Sequence, residues 1–542
     1  MTPEGVVRTE DVAQGASITP DTGRKLDYTI VAGLLLLGAM IVWQQLSRES
    51  QVSPDSVASV ATESTTPATD AASIAVLPFA DLSPGGDQEY FSDGMAEEIL
   101  NVLVRVQGLN IVSRTSSFQF KGRELGIPEI ASLLKVRHVV EGSVRKSGDT
   151  IRVTAQLIDA SNDKHLWSNT YDRPLTAENI FAIQDEIAKS IVTALGQALG
   201  LNQLTGVEVA TSTRNLSAYE LFLQARPMFH SRTRLDEADR LLEEALRQDP
   251  QFAQALEMRA ALQTLMVEYG FSSVTLEDAE RRSDEFAQQA LAIEPQSSVA
   301  LAVLGKNAAT AAENRRGKAS YKEILQMFDR ALRVDPRNTS ALNWRGVRYL
   351  MAGRMEEALA DFASCRAIEP YYIPCVENYI STLGDMGRDE ESLQAWREAL
   401  NIGATKIFNA DLPVLARLGE ELAFKLVTND QQILGGWSRH DELYDAYRHP
   451  ELDHSALIES IRAHMAANKN KEAGAFKFIV LPIGEIWDHP DAVYLWDQSA
   501  AWYRQTDAFK SYVRDTGVLD YWHEFGFPAQ CRPLGSDDFE CD

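Results

Sequence analysis

Four short runs, "ALRQDP", "ALAIEP", "ALRVDP" and "CRAIEP", end at Pro250, Pro295, Pro336 and Pro370. Each closes an amphipathic stretch with a small residue and then an acid–proline stop. Proline ends a helix because it lacks the N–H and its ring clashes with the preceding turn. The last interval is 34 residues, and the two before it are 45 and 41. Periods of this size mean stacked helix pairs, none of which buries its apolar face alone, so the middle of the chain has to be an α-solenoid. The longer intervals predict lengthened loops or helices in the second and third units.

Period and residue types together resemble tetratricopeptide repeats, over residues 214–402. In the unit ending at Pro370 the packing positions are Leu342, Gly346, Tyr349, Ala358, Phe362 and Cys365, and Gly353 recurs one period later as Gly387. Phe222, Phe229, Ala238, Leu242 and Ala245 take equivalent places in the unit ending at Pro250, and Ser392, Trp396 and Ala399 mark a further one. Helices approach closely only at Gly or Ala, and an aromatic fills the hole one turn away. The resemblance implies a concave face, lined by the first helix of each pair, that holds an extended peptide or a partner helix. Ser340, Asn343 and Val347 would point into it; the alternative for Asn343 is a solvated surface residue. Residues 403–542 read as a helical region, with "PVLARLGEELAFKL" and "DHSALIESIRAHMAA" as amphipathic helices.

Ahead of the repeats, residues 73–201 read as an α/β domain. "SIAVLPF" is a buried strand and "DGMAEEILNVLVRV" a helix with Met95, Ile99, Leu100, Leu103 and Val106 on one face. A strand "LNIVSR", a helix "IPEIASLLKV", a hairpin about Ser147-Gly148-Asp149, a strand "HLWSNTYDR" and a helix "IFAIQDEIAKSIVTALGQALG" follow. The strand–glycine–helix order around Gly85-Gly86 raises nucleotide binding. Yet no Lys stands in that loop, and Asp81, Asp87, Glu89 and Asp93 would repel a phosphate. The structural expectation is a turn, with Ser92 or Asp93 capping the helix and Glu97 and Glu98 complementing its dipole.

"SIAVLPF", "EYFSDGMAEEILNVL", "LNIVSRTSSFQFKGR", "EGSVRKSGDTIRVTAQLIDASNDKHLWSNTYDR" and "IFAIQDEIA" together resemble the TolB N-terminal-like domain of bacterial envelope and signalling proteins. In that family the domain commonly lies between an N-terminal output module, a nucleotide cyclase or a CadC-like winged helix, and C-terminal tetratricopeptide repeats. This chain has only a short tail on its N-terminal side, so neither cyclase activity nor DNA binding is carried over. Its last residues, from Trp496, resemble the ends of the same proteins and are expected to cap the solenoid.

"YTIVAGLLLLGAMIVW" is uncharged and reaches a spanning length when Leu26 to Leu46 is counted. Arg24-Lys25 before it outweigh Arg48 after it, which favours an N-terminus inside. A cleaved signal peptide competes, but no A-x-A-like site follows promptly. The expected plan is therefore a tail at 1–27, a transmembrane anchor at 28–46 and a Ser/Thr/Pro-rich linker at 47–72. It places the protein in the bacterial inner membrane, single-pass, with its bulk in the periplasm.

Lys and Arg number 52 against 78 Asp and Glu, a formal charge of -26, which excludes nucleic acid as a partner without a strong basic patch. The four cysteines form two near pairs. Cys531 and Cys541 bracket a Pro/Gly turn and are the better disulfide candidate; Cys365 is either paired to Cys375 or a buried thiol. No hydrolase, zincin or penicillin-binding motif occurs. The expectation is thus a multidomain α/β plus all-α protein with no cofactor, metal or catalytic residue. It acts as a non-enzymatic interaction scaffold for a protein or peptide, or as the sensor component of a nucleotide-cyclase or transcriptional signalling system.

Overall fold

The structure is a computed structural model describing residues 72–106, 108–200, 213–231, 233–268, 270–314, 319–406, 410–430, 433–467, 479–484 and 494–542. The tail, the apolar segment Leu26–Leu46 and all but the last residue of the linker lie outside the described residues. The fold class is corrected on one point: among the described residues no helix is long and apolar enough to cross a membrane. The longest, at 23 residues, carries Glu178, Asp185, Glu186 and Lys189 and is amphipathic. The expected transmembrane helix is therefore not part of the described architecture, and nothing in that architecture supports the single-pass inner-membrane location with a periplasmic bulk.

The α/β part runs β1 (Ser73–Val76), β2 (Ala80–Asp81), α1 (Glu89–Val104), β3 (Asn110–Ile111), α2 (Arg114–Phe118), α3 (Ile127–Leu134), β4 (His138–Ser147), β5 (Thr150–Asp159), β6 (Lys164–Pro174) and α4 (Ala177–Leu199). The strands order as β3-β1-β4-β5-β6 with β2 beside β4. β1 is parallel to β3 and β4, and β4, β5 and β6 are antiparallel. Alternation sends Val140, Val144, Ile151, Val153 and Leu157 to one face, where α1 (Phe91, Met95, Ile99, Leu103) and α4 (Ile180, Ile183, Ile187, Ile191) bury them. Ala75, Leu77 and Val139 point the other way, onto Ile130 and Ala131 of α3.

Helix α1 departs from its expected start. It begins at Glu89 behind Gln88, which makes no side-chain cap. Ser92 and Asp93 lie inside it, and the buried Asp93 carboxylate accepts from Lys121 Nζ at 2.5 Å.

The repeats form helix hairpins: α5 (Leu216–Ser231) with α6 (Leu235–Gln248), α7 (Ala253–Glu268) with α8 (Leu276–Ile293), α9 (Ser298–Glu313) with α10 (Tyr321–Val334), α11 (Thr339–Met351) with α12 (Met355–Ile368), and α13 (Ile373–Asp385) with α14 (Asp389–Asn401). The four stops share one geometry. The N–H groups of Asp249, Glu294, Asp335 and Glu369 donate to the carbonyls of Ala245, Ala290, Ala331 and Cys365, and the proline that follows each ends the helix. Those four small residues are wholly buried. The extra length of the second unit comes from an 18-residue α8 and the link after α7; that of the third unit comes from the link between α9 and α10. At Gly346 a Cβ would stand 2.6 Å from the Phe362 ring, and at Gly305 one would stand 2.9 Å from Phe328. These glycines let paired helices close onto an aromatic.

Beyond α14 the chain adds α15 (Leu412–Arg417), α16 (Glu421–Thr428), α17 (His440–Arg448), α18 (Ser455–Ala467), α19 (Ala501–Arg504), α20 (Asp507–Asp515), α21 (Val518–Phe525) and a hairpin of β7 (Cys531–Pro533) and β8 (Phe539–Cys541). The single helix expected over "PVLARLGEELAFKL" is two, because Gly419 takes a φ of 75° between α15 and α16. The final segment lies along the side of the third and fourth hairpins: Trp522 Nε1 donates to the Ala352 carbonyl at 2.8 Å, and Trp496 and Pro528 press on Gly353.

Both cysteine pairs are disulfides. Cys365–Cys375 ties α12 to α13, and Cys531–Cys541 ties β7 to β8. The second closes a loop with a sequence separation of 10. Replacing both of its cysteines by serine is expected to cost the C-terminal segment about 2–3 kcal/mol. Guanidinium unfolding followed by the tryptophans reads that cost.

Candidate functional site

The α/β core does not stop at α4. Tyr219, Phe222 and Leu223 of α5, Leu242 of α6 and Phe252 ahead of α7 belong to the same apolar cluster as the sheet. Gly94 of α1 is what lets α5 in, since a Cβ there would stand 2.6 Å from Leu223 Cδ2.

A charged cluster is buried where α1 meets α5. Arg226 Nη2 donates to Glu98 Oε1 at 2.6 Å, and its Nη1 lies 3.5 Å from Glu97 Oε2. Arg114 Nε of α2 donates to the same Glu97 oxygen at 2.7 Å, and His230 Nε2 lies 3.6 Å from the other. Burial opposes the Glu97 carboxylate, but Arg226 and Arg114 outweigh it and hold it well below the usual range. Burial pushes the His230 imidazole down although Glu97 pulls it up, so it faces the acid as a neutral ring at neutral pH. Glu97 and Glu98 are therefore bridges between domains and do not serve the helix dipole. Sequence reading missed Arg226, Arg114 and His230. The available signal was that Arg226 fills the repeat slot which Gly346 fills three hairpins later, each standing equally far ahead of its closing proline.

The stack touches the α/β part at a second place. Arg337 Nη2 donates to the Ile111 carbonyl at 2.7 Å, and Glu369 accepts from Thr115 Oγ1 at 3.2 Å and from Thr339 Oγ1 at 3.1 Å. Burial pushes the Glu369 carboxyl up against the pull of these hydroxyls and of Arg114 and Arg337.

The loop at Gly85-Gly86 is closed on itself. Asp81 accepts from the N–H groups of Ser83 and Gln88, each at 2.8 Å, and Gly86 takes a φ of 61°. The amides that a phosphate would need already face a carboxylate.

Of the expected groove residues, Ser340 and Val347 are half-buried on α11, while Asn343 is buried and its Oδ1 accepts from Asn378 Nδ2 of α13 at 2.9 Å. Glu257 and Glu377 hold the Asn343 position in α7 and α13, each the same distance past a closing proline. Glu257 accepts from Ser297, at the start of the next hairpin, so this position sits where consecutive first helices meet. Burial pushes both carboxyls up to about 7. Between them lies Trp344, half-buried, with Lys306 Nζ 5.7 Å from its ring. Gly346, Tyr349, Ala358 and Phe362 pack α11 against α12, Val347 rests on the same cluster, and Pro370 closes the unit. Among the described residues no group of His, Cys, Asp or Glu could hold a metal ion.

Fold and junction define a class: an α/β domain continuous in its core with a stack of helical hairpins. Residues 70–190 match the family described as HilA/YgeH-like transcriptional regulator, second domain. The chain is also 41% identical over 188 residues to "Putative adenylate cyclase 3" of Rhizobium meliloti (strain 1021), a match that covers 34% of this chain and 31% of that protein. This chain thus spans less than a third of that relative. Among solved structures it is similar to a thermophilic TPR protein of Thermus thermophilus (22% identity, 38% of this chain and 98% of that one, TM-score 0.30). It is also similar to the type IV pilus biogenesis factor PilW (18%, 42% and 98%, TM-score 0.32) and to YrrB, a TPR protein with an unusual peptide-binding site (18%, 34% and 86%, TM-score 0.22). At such scores the repeat architecture is carried by the chain's own helix pairs.

Proposed function

We propose that this protein is a non-enzymatic regulatory scaffold. In this reading the α/β domain, likened above to the TolB N-terminal-like domain, and the repeats act as one body that presents the face of first helices to a protein or peptide. The observation that carries the reading is the shared core with its Glu97–Glu98–Arg226 bridge, which leaves no independent joint between the domains. The partner segment lies across Ser340, Val347 and Trp344, and its Lys or Arg side chains meet Glu257 and Glu377.

A second reading makes the chain the sensing component of a nucleotide-cyclase or transcriptional system whose output lies on another protein. It draws support from the regulator family matched at 70–190 and from the cyclase-named relative. The loop closed by Asp81 disfavours nucleotide binding at Gly85-Gly86 itself.

Panning the full chain against a display library of short random peptides tests the first reading. Recovered peptides are expected to be rich in Lys and Arg, and Ser340→Arg or Glu377→Gln is expected to weaken them about tenfold, the size of one charge-assisted contact. Affinity is expected to rise from pH 6 to pH 8, because carboxyls that titrate near 7 gain their charge over that interval. Failure to enrich any peptide, or enriched peptides indifferent to both variants, would remove this face from consideration. Saturable binding of ATP without any peptide would favour the second reading.

A further inference from the structure

Three stretches of chain meet at the end of the fifth hairpin: the α13–α14 turn, α15 and residues 494–504. Asp497 is wholly buried, and its carboxylate accepts from Arg417 Nη1 at 3.0 and 2.8 Å and from Ser499 N–H and Oγ at 2.8 and 2.6 Å. Arg417 spans the gap, donating also to both oxygens of Asp389 at 2.7 Å. Arg504 Nη1 donates to the carbonyls of Leu495 and Asp497, and its Nε donates to that of Asp542.

Two carboxyls in this knot are not provided for. Asp385, the last residue of α13, is 5% exposed, and neither of its oxygens has a hydrogen-bond partner. Asp411 caps α15 with Oδ1, which accepts from Val414 N–H at 3.1 Å, but its Oδ2 is buried without a partner against Gly384. A buried ionised carboxylate without a counter-charge or hydrogen bonds is costly, and protonation is the ordinary escape. The cations present, Arg417 and Arg504, are already engaged with Asp389, Asp497 and backbone carbonyls.

We infer that Asp385 and Asp411 form a proton-dependent latch that fastens residues 494–504 to the end of the fifth hairpin, closed while both carboxyls are protonated and loosened as they ionise. The groups facing the pair are Asp389, Arg417, Asp497, Arg504 and the hydroxyls of Tyr447 and Tyr494, with Asp542 acting on Arg504 behind them. Burial, then Asp497 and Asp411, push the Asp385 carboxyl well above its ordinary value against Arg504 and Arg417. Burial and Asp497 do the same to Asp411 against the Val414 N–H and Arg417. Both tyrosines are pushed upward too, mainly by burial, so they stay neutral and add no charge.

A carboxyl whose folded value is raised binds more protons folded than unfolded, so its contribution is complete below the unfolded value of about 4 and is lost as pH rises toward the folded one. The latch therefore opens toward alkaline pH, the reverse of ordinary acid unfolding. The latch is independent of which partner the scaffold binds.

Hydrogen exchange of the amides of residues 495–505 in the full chain, at pH 5.5 and 8.5 and corrected for the intrinsic pH dependence of exchange, tests it. Opening is expected to be at least about tenfold more frequent at pH 8.5 than at pH 5.5. Asp385→Asn keeps the shape without that ionisation and leaves Asp411 alone to titrate, so the rise in opening between the two pH values is expected to be clearly smaller than in the wild type. Asp411→Asn, which retains an N-cap oxygen, is expected to act likewise and serves as the test if the first variant does not fold. Opening that is independent of pH in the wild type, or that rises as much in both variants as in the wild type, would overturn the latch. So would closure restored at pH 8.5 by millimolar calcium, which would put a cation where we place protons.

Discussion

Arg226→Met is expected to destabilise the α/β domain and the first hairpin by about 3–5 kcal/mol, because it leaves Glu98 and half of Glu97's compensation in a buried site without the guanidinium. Methionine preserves most of the volume, so the loss reports charge and not a cavity. Adding Glu98→Gln to that variant is expected to recover a large part of the loss, since a neutral amide is far cheaper to bury than an orphaned carboxylate. Guanidinium unfolding followed by circular dichroism reads both numbers. A cost below about 1 kcal/mol for Arg226→Met would mean that water reaches the cluster and that the joint is looser than described.

The bridge also fixes how acid acts here. The Glu97 carboxyl is held well below its ordinary value, so it contributes stability that is present above the unfolded value of about 4.3 and is lost as pH falls toward the folded one.

The second large effect belongs to the fourth hairpin. Phe362 is wholly buried with its ring against Gly346, and Phe362→Ala is expected to cost about 3–5 kcal/mol in transfer free energy and cavity together. Gly346→Ala alone gains about 1 kcal/mol of helix propensity but drives a methyl to 2.6 Å from the ring, so it is expected to come out destabilising by about 1–3 kcal/mol. Combined with Phe362→Ala the same methyl enters the vacated space, and the pair is expected to be more stable than the sum of the singles by at least about 1 kcal/mol. Additive losses would show that the two helices do not pack through this contact.

What could be read from the sequence was set by short-range patterning. The prolines at 250, 295, 336 and 370 mark real helix ends because proline acts through its own backbone and the turn beside it. The hairpin β4–β5 was readable for a similar reason, as its Gly148 turn and alternating Val, Ile and Leu are local. Misreadings arose where a residue is satisfied from far away. Asp93 resembles a cap until Lys121, from beyond β3 and α2, is seen to hold it inside the helix. "LNIVSR" reads as a full strand, yet only Asn110 and Ile111 pair, because Ser113 accepts from the Ser116 N–H and starts α2. The junction was hidden in the same way: Glu97, Arg114 and Arg226 are scattered along the chain, and each taken singly resembles a solvated surface charge. Asn343, expected on the groove surface, is drawn under it by an amide one hairpin away.

The double contact between stack and α/β part bears on stiffness. A solenoid fixed at one end behaves as a spring whose coils stretch and relax, since each repeat touches only its neighbours. Here the first hairpin is rooted in the sheet's core, and the turns at Arg337 and Glu369 come back to rest on β3 and α2. The first four hairpins are thus an arch with both feet planted on one foundation, and a load applied at the crown passes into the sheet instead of bending the coil. Among the described residues, compliance is left to the stretch beyond Pro370.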